Sequence, residues 1–239
     1  MYCFRERERI LDLFEMLCGA RITVSYMRPG GVYFDAPSDF WTALDIFLKD
    51  IEGYLSELEE LLLENEIILI RTRNVGILSL DTAIACSTSG PVLRGSGLKW
   101  DWRKADPYDV YDRMDFDIPV GINGDNLDRF WVRMQEVRQS LRIINQCCEQ
   151  IPQGEVRTNL PLVLRPPIGA EAYGRIESPK GELGFYLVSD GGIAPYRCKI
   201  RSPSFMNLTV TRDLLVGWKL ADMIATLGSI DINMGEVDR

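Results

Sequence analysis

Histidine is absent from the 239 residues. That removes the commonest general base and the commonest metal ligand, which argues against a triad hydrolase or a zinc enzyme. Cysteine occurs six times, at 3, 18, 86, 147, 148 and 198, but never as Cys-x-x-Cys. Metal clusters and disulfide frameworks favour recurrent spacings, so the six read as reduced, mostly buried thiols. Positive charge is in deficit: 27 Lys and Arg face 35 Asp and Glu, a formal charge of -8. Such a surface does not suit nucleic acid, whose phosphates need basic partners. Long apolar runs are missing too; Leu61-Leu62-Leu63 is broken by Glu64 and Glu66, far short of the roughly 20 residues of a membrane span. The opening residues show no cationic stretch followed by an apolar one, so a cytosolic or membrane-docked peripheral protein is expected. Internal repeats and low-complexity segments are also lacking.

What is present is a core-forming chain, 46% hydrophobic, enough for one or two domains. Arg5-Glu6-Arg7-Glu8-Arg9 leads into Ile10, Leu11, Phe14 and Leu17 at helical spacing, with no capping residue before it. After a turn at Arg28-Pro29-Gly30-Gly31, Pro37-Ser38-Asp39 caps a second helix. Its seam is expected to run through Trp41, Leu44, Leu48, Ile51, Leu55, Leu58 and Leu62, packing in a bundle or as a short coiled coil. Asp125 or Asn126 caps a third, with Leu127, Phe130, Trp131, Met134, Val137, Leu141 and Ile144 expected on its buried face. The intervening stretch 87–124 reads as irregular, and loops of that length are usually functional or partner-bound.

Beyond Pro152 the pattern turns towards strands. Ser178-Pro179-Lys180-Gly181 fits a type I turn between strands at 173–177 and 183–188. Residues 196–201 alternate, with Tyr196, Cys198 and Ile200 on one face, and a last helix is expected over 214–227. The fold class is therefore α+β, mainly helical: a helical part over 1–150, then a mixed part over 151–239 with a small hairpin region and a C-terminal helix.

The last twelve residues, Gly228 to Arg239, alternate apolar side chains with three acids and end on arginine. Tails of soluble domains are normally frayed and polar, so this one is expected to thread into a protein interior. Buried carboxylates at Asp231 and Glu236 would need cations or donors, and Lys180 and Arg239 are the natural partners. From these residues alone, an ion-pair network that merely anchors the terminus is the other reading.

Several segments, in order along the whole chain, carry a resemblance. They are Phe4-Arg5-Glu6-Arg7-Glu8, Arg28-Pro29-Gly30-Gly31-Val32, Ser89-Gly90-Pro91-Val92-Leu93-Arg94-Gly95-Ser96-Gly97, Trp100-Asp101-Trp102-Arg103-Lys104, Gly124-Asp125, Glu177 to Gly184, Lys199 to Phe205, and the tail. Together they resemble the C-terminal part of the hydrogenase-like large subunit of respiratory complex I, the family of the quinone-site subunit of NADH:quinone oxidoreductase in bacteria and of its counterpart in plastids. The resemblance implies the hydrogenase large-subunit fold, with long core helices, a small hairpin region and an inserted C-terminal tail. In nickel–iron hydrogenases a C-terminal Cys-x-x-Cys binds the metals through soft thiolates. Asn233 and Glu236 stand at the similar positions here, after a retained Asp231, and the upstream cysteine pair has no counterpart, so no metal site and no catalytic residue of that kind is expected.

The resemblance further implies a subunit that contributes quinone-cavity wall and interface: Lys180, Asp231, Asn233, Glu236 and Arg239 are its candidate residues, with Arg239 near the cluster-bearing subunit. No cofactor is expected on this chain. Quinone is the expected substrate of the assembled site, and a 4Fe-4S cluster would be held by the iron–sulfur small subunit. Other partners would be peripheral-arm subunits, with NADH or ferredoxin as donor and membrane subunits translocating cations. The expected place is the cytoplasmic, plastid stromal or mitochondrial matrix face of an energy-transducing membrane, peripherally bound and without a transmembrane segment. Family members carry an N-terminal quinone-loop region, with Gly-Pro-His-His-Pro and a tyrosine, that this sequence does not contain. They also have histidines where Thr23 and Tyr33 stand, and an apolar residue at Asn233. A split subunit, a start inside a longer gene and a non-catalytic truncated paralogue serving as a scaffold or interaction protein are the arrangements compatible with that difference.

Overall fold

The computed structural model describes residues 2–161 and 163–238. Its helices are α1 (Tyr2–Cys18), α2 (Ser38–Leu63), α3 (Glu66–Thr72), α4 (Leu80–Ala85), α5 (Pro91–Gly95), α6 (Trp102–Ala105), α7 (Asn126–Gln150), α8 (Pro203–Asn207), α9 (Thr211–Leu215), α10 (Leu220–Ile230) and α11 (Met234–Asp238). Strands β1 (Met27–Arg28) and β2 (Gly31–Val32) form a short ladder, and β3 (Glu171–Ser178), β4 (Gly181–Val188) and β5 (Arg197–Arg201) an antiparallel sheet in that order. The chain is mainly helical with small antiparallel sheets, an α+β architecture. It divides into two compact units, residues 1–58 with 148–164 and residues 59–147 with 165–239.

In the first unit the N-terminal half of α1 meets the middle of α2, around Phe47, Asp50 and Tyr54. Glu6, within the charged run, is 5% exposed and is held by Arg5 at 2.8 Å and Arg9 at 3.0 Å; Arg9 also reaches Asp50 at 2.8 Å. A buried carboxylate is tolerable only with such partners. Tyr2 stacks on Tyr54 with centroids 5.4 Å apart, and the Arg5 guanidinium covers both rings. The Arg-Pro-Gly-Gly turn is tied to the returning chain, Val32 N–H donating to Val156 O (3.0 Å) and Thr158 N–H to Gly30 O (2.8 Å).

The second unit holds two apolar clusters. One gathers Leu78, Ala83, Val92, Leu93, Val210, Leu214 and Ile230; the other gathers Met114, Phe116 and Ile143. Asp125 caps α7, its Oδ1 accepting from Asp128 N–H at 2.9 Å while Oδ2 accepts from Asn74 N–H at 2.8 Å.

Several sequence expectations are corrected. The buried face of α2 is Phe40, Phe47, Ile51, Tyr54, Leu55 and Leu58, so Trp41, Leu44, Leu48 and Leu62 are only half-buried. On α7 the buried set is Asn126, Arg129, Val132, Met134 and Ile143, and Trp131 and Val137 are exposed. On α7 two of the buried positions, Asn126 and Arg129, are polar and so lie outside the apolar pattern. The stretch 87–124 is irregular over most of its length, as expected, but contains two short helices, α5 and α6, with all of α5 buried. No cysteine is buried: Cys3 and Cys198 are exposed and the other four half-buried, and none is in a disulfide. Tyr196 and Cys198 are exposed as well, because the sheet presents the end of β5 to solvent. The last helix is two, since Gly217 at φ +88° separates α9 from α10.

Candidate functional site

The site is built where the β3–β4 hairpin meets the end of α10. Strand pairing brings Ser178 opposite Gly181, leaving Pro179 and Lys180 as the turn. Against this turn packs the Ser89-Gly90-Pro91 entry of α5. A Cβ on Gly90, which sits at φ +67°, would lie 2.5 Å from Lys180 O; one on Gly181, at φ +133°, would lie 2.4 Å from Ser89 Oγ. Both backbone conformations suit glycine and the contact leaves no room for another residue, so two separate sequence motifs are one interlocked structure.

The end of α10 is fixed from α7. Arg129 is fully buried and donates through Nε to Ser229 Oγ (2.9 Å), through Nη1 to Gly124 O (2.8 Å) and through Nη2 to Gly76 O (2.7 Å) and Asn126 Oδ1. All four acceptors are uncharged, and burial pulls the guanidinium pKa down to about 10. One turn later Arg133 Nη1 donates to Ser229 O at 2.6 Å and Nη2 to Ile230 O at 3.1 Å, placing a cation at a helix C-terminus where the dipole favours it. Burial pulls Arg133 down, and the Asp231 carboxylate opposes that shift.

Asp231 is the C-cap of α10 and takes the left-handed conformation, φ 59° and ψ 59°. Its Oδ2 lies 2.7 Å from Lys180 Nζ and 3.9 Å from Arg133 Nε, and that Nε is buried with no hydrogen-bond partner. One carboxylate oxygen is therefore shared by two cations. The short helix α11 follows. Ser204 Oγ, from the buried start of α8, donates to the Glu236 carboxylate and accepts from Asn233 N–H at 3.3 Å. Asn233 Oδ1 accepts from Gly235 N–H at 3.1 Å, within its own turn.

The structure thus brings Lys180 and Asp231 together, and ties Asn233 and Glu236 to Ser204. Glu236 meets a hydroxyl rather than the expected cation. Arg239 lies outside the described residues. The tail is not threaded into this chain's interior: burial ends at Ile230, 1% exposed, and Asp231, Asn233, Met234, Gly235 and Asp238 are exposed. The physical reason is composition, since α11 offers only Met234 and Val237 as apolar residues beside two acids, too little to offset burial of the charges. Arg129, Arg133 and Ser204 were not foreseen from sequence. The only signal for the arginines was their spacing of four on a face shared with Val132.

A second charged cluster supports the base of the hairpin. Arg94, 1% exposed, donates through Nη1 to Glu177 Oε1 (2.8 Å) and Trp100 O (3.0 Å), and through Nε to Glu136. Arg103 grips Asp101 through Nε (3.0 Å) and Nη2 (2.7 Å). Burial pushes Glu136 and Glu177 up. Burial pushes Asp101 up as well, but the Arg103 hydrogen bond and charge outweigh it and hold the carboxyl low. A separate cleft of about 320 Å³ is lined by Leu63, Leu69, Leu127 and Trp131, with Arg73 and Asp128, and includes no tail or hairpin residue. Among the described residues, no group of three or more His, Cys, Asp or Glu is arranged to hold a metal ion, and no helix is long and apolar enough to cross a membrane.

An α+β chain with a cation-rich junction of hairpin and tail is the class that fold and site define. The chain belongs to the family described as respiratory-chain NADH dehydrogenase, 49 Kd subunit, whose profile matches residues 1–170 and 164–239. It is 52% identical over 239 residues to the D-type subunit of the NADH-quinone oxidoreductase of Dehalococcoides mccartyi, covering 100% of this chain and 65% of that protein. It is 50% identical over 238 residues to the same subunit of Desulforamulus reducens, covering 100% and 65%. With that of Carboxydothermus hydrogenoformans it shares 49% identity over 238 residues, again covering 100% and 65%. The chain therefore spans about two thirds of the length of these curated relatives.

Proposed function

We propose that the chain works inside an assembled NADH:quinone oxidoreductase, forming part of the quinone-cavity wall and the contact surface for the iron–sulfur small subunit. Family membership supports the complex, and the observation that carries the site is the Lys180–Asp231–Arg133 junction. The reaction transfers two electrons and balances as NADH + H⁺ + quinone → NAD⁺ + quinol; with ferredoxin as donor, two one-electron carriers supply them. A 4Fe-4S cluster held by the small subunit, not by this chain, would supply the electrons. The chain's own contribution is electrostatic. As electrons reach the quinone, negative charge develops on its oxygens, and cations already fixed in place stabilise it without reorganisation. Lys180, carried on the hairpin turn 2.7 Å from Asp231, presents that fixed charge to the quinone, while Arg133, 3.9 Å from the same oxygen, helps to neutralise the carboxylate. Asn233, Glu236 and Arg239 brace the tail at the wall and the small-subunit interface. The hydrogenase-like framework, peripheral docking at the membrane face and coupling to cation translocation by membrane subunits belong to the same proposal.

Purification of the tagged chain from native membranes, with mass spectrometry of what accompanies it, tests the assembly. Recovery of the iron–sulfur small subunit is the expected result; a chain recovered alone overturns the proposal in favour of a scaffold. In the assembled enzyme, Lys180→Met is expected to raise the quinone KM about three- to tenfold, the effect of a partly exposed charge worth about 1 kcal/mol. Electron input measured with a hydrophilic artificial acceptor is expected to stay unchanged.

A further inference from the structure

Three motifs, the Ser-Gly-Pro entry of α5, the Pro-Lys-Gly hairpin and the Ser-Pro-Ser-Phe start of α8, meet at one side chain, Asn207. It is fully buried. Its Oδ1 accepts from Ser89 N–H at 3.0 Å, and its Nδ2 donates to Ser89 O at 3.3 Å and to Lys180 O at 3.2 Å. One acceptor and two donors are needed at this point, and a carboxamide of this length supplies all three; aspartate would supply none of the donors.

The far side of the turn is held by the same residue that Asn207 grips. Ser89 Oγ accepts from Glu182 N–H at 3.1 Å, and Arg201 ties Glu182 O at 2.7 Å to Ser87 O at 3.0 Å. The chain on both sides of Lys180 is thereby fixed to one backbone segment, and the Gly90–Gly181 contact closes the space between them. Three residues earlier on the same helix, Ser204 holds Glu236 and Asn233 of the tail. A single five-residue helix therefore sets both the turn that carries Lys180 and the tail that follows Asp231.

We propose that Asn207 is a positioning residue for Lys180: its amide, acting through Ser89, sets where the ammonium stands relative to Asp231 and the quinone. This rests on the reading of Lys180 as a quinone-site cation given above. Asn207 touches no substrate in this role. A purely structural asparagine would affect the enzyme whether or not Lys180 is present, and a positioning residue would not.

The test uses the assembled enzyme with a short-chain ubiquinone analogue and compares Asn207→Ala, Lys180→Met and the double variant. Asn207→Ala is expected to raise the quinone KM by about the factor that Lys180→Met does, with the artificial-acceptor rate unchanged. The double variant is expected to be no worse than Lys180→Met alone. If Lys180→Met raises KM and Asn207→Ala does not, or if the two effects multiply, the positioning role is overturned while the site reading stands. If Lys180→Met leaves KM unchanged, the site reading fails and takes the positioning role with it. Should Asn207→Ala prevent assembly, Ser89→Ala, which removes only the Oγ that holds Glu182, decides. A smaller KM increase that vanishes in the Lys180→Met background supports the proposal, and an unchanged KM overturns it.

Discussion

Replacing Arg129 by methionine sets two large terms against each other. The guanidinium is fully buried, none of its four hydrogen-bond acceptors among the described residues is a carboxylate, and its pKa falls to about 10, which corresponds to about 3 kcal/mol against the charged form. Opposing this are its four donations to Gly76 O, Gly124 O, Ser229 Oγ and Asn126 Oδ1. Charge-assisted bonds contribute about 1.5–3 kcal/mol each, so together they exceed the burial term at least twofold. Methionine removes the charge but donates nothing. Gly76 O loses its donor, while Gly124 O keeps Leu78 N–H at 2.9 Å. The expected net loss is about 3–5 kcal/mol, in line with breaking other buried ionic groups. For a chain of this size that lowers the melting temperature by about 6–20 °C. Arg129→Lys is expected to lose most of the same stability, because one ammonium cannot span acceptors that the planar fork reaches on several sides. Thermal unfolding of the expressed chain, followed by near-UV circular dichroism, reads the shift. A fall below about 2 °C would refute the claim that four neutral oxygens cage this charge.

Gly90→Ala forces a left-handed alanine against Lys180 O; a loss of about 2–3 kcal/mol is expected, read as a lower urea midpoint. Gly53, inside α2, has nothing within 4 Å of an added Cβ, so Gly53→Ala is expected to stabilise by about 0.5–1 kcal/mol, and a lower midpoint would count against that helix. Glu136 and Glu177 bind their protons more tightly when folded, because burial raises both above the ordinary value of 4.5. Their contribution to stability is therefore lost as pH rises from 4.5 through the folded pKa and regained on acidification. Asp101 has the opposite sign: burial opposes ionisation but Arg103 prevails, so its contribution is present above 3.8 and lost as pH falls through the lowered folded value. Urea titrations between pH 3 and pH 7 are expected to show unfolding free energy rising from neutral into weak acid and then falling, with Glu136→Gln flattening the rise.

The segments that carried the family resemblance were legible because each encodes a local geometry: glycine where the backbone turns left-handed, proline at a turn, aspartate at a cap. Ser178-Pro179-Lys180-Gly181 placed the hairpin within two residues of its ends, and Asp125 announced the start of α7. The faces of α2 and α7 were misread for one reason. Periodicity counts apolar side chains, whereas α7 buries Arg129 and Asn126 while exposing Trp131 and Val137. A buried arginine that is served by loop carbonyls and a serine on another helix leaves no mark in its own helix's pattern. The tail's alternation of apolar and acidic residues likewise does not say whether this chain or another surface covers it.

The sequence by itself determined the family, the α+β class, the position of the hairpin and the residue types that can carry charge near the tail, because these depend on local conformation and on side-chain chemistry. The tertiary structure decided the pairings: Lys180, offered by the sequence to either Asp231 or Glu236, with Asp231, and, with no sequence signal, Arg129 with Ser229 and Asn207 with Ser89 and Lys180. Such contacts join groups far apart along the chain, and their strength depends on burial, distance and direction, none of which exists until the chain has folded.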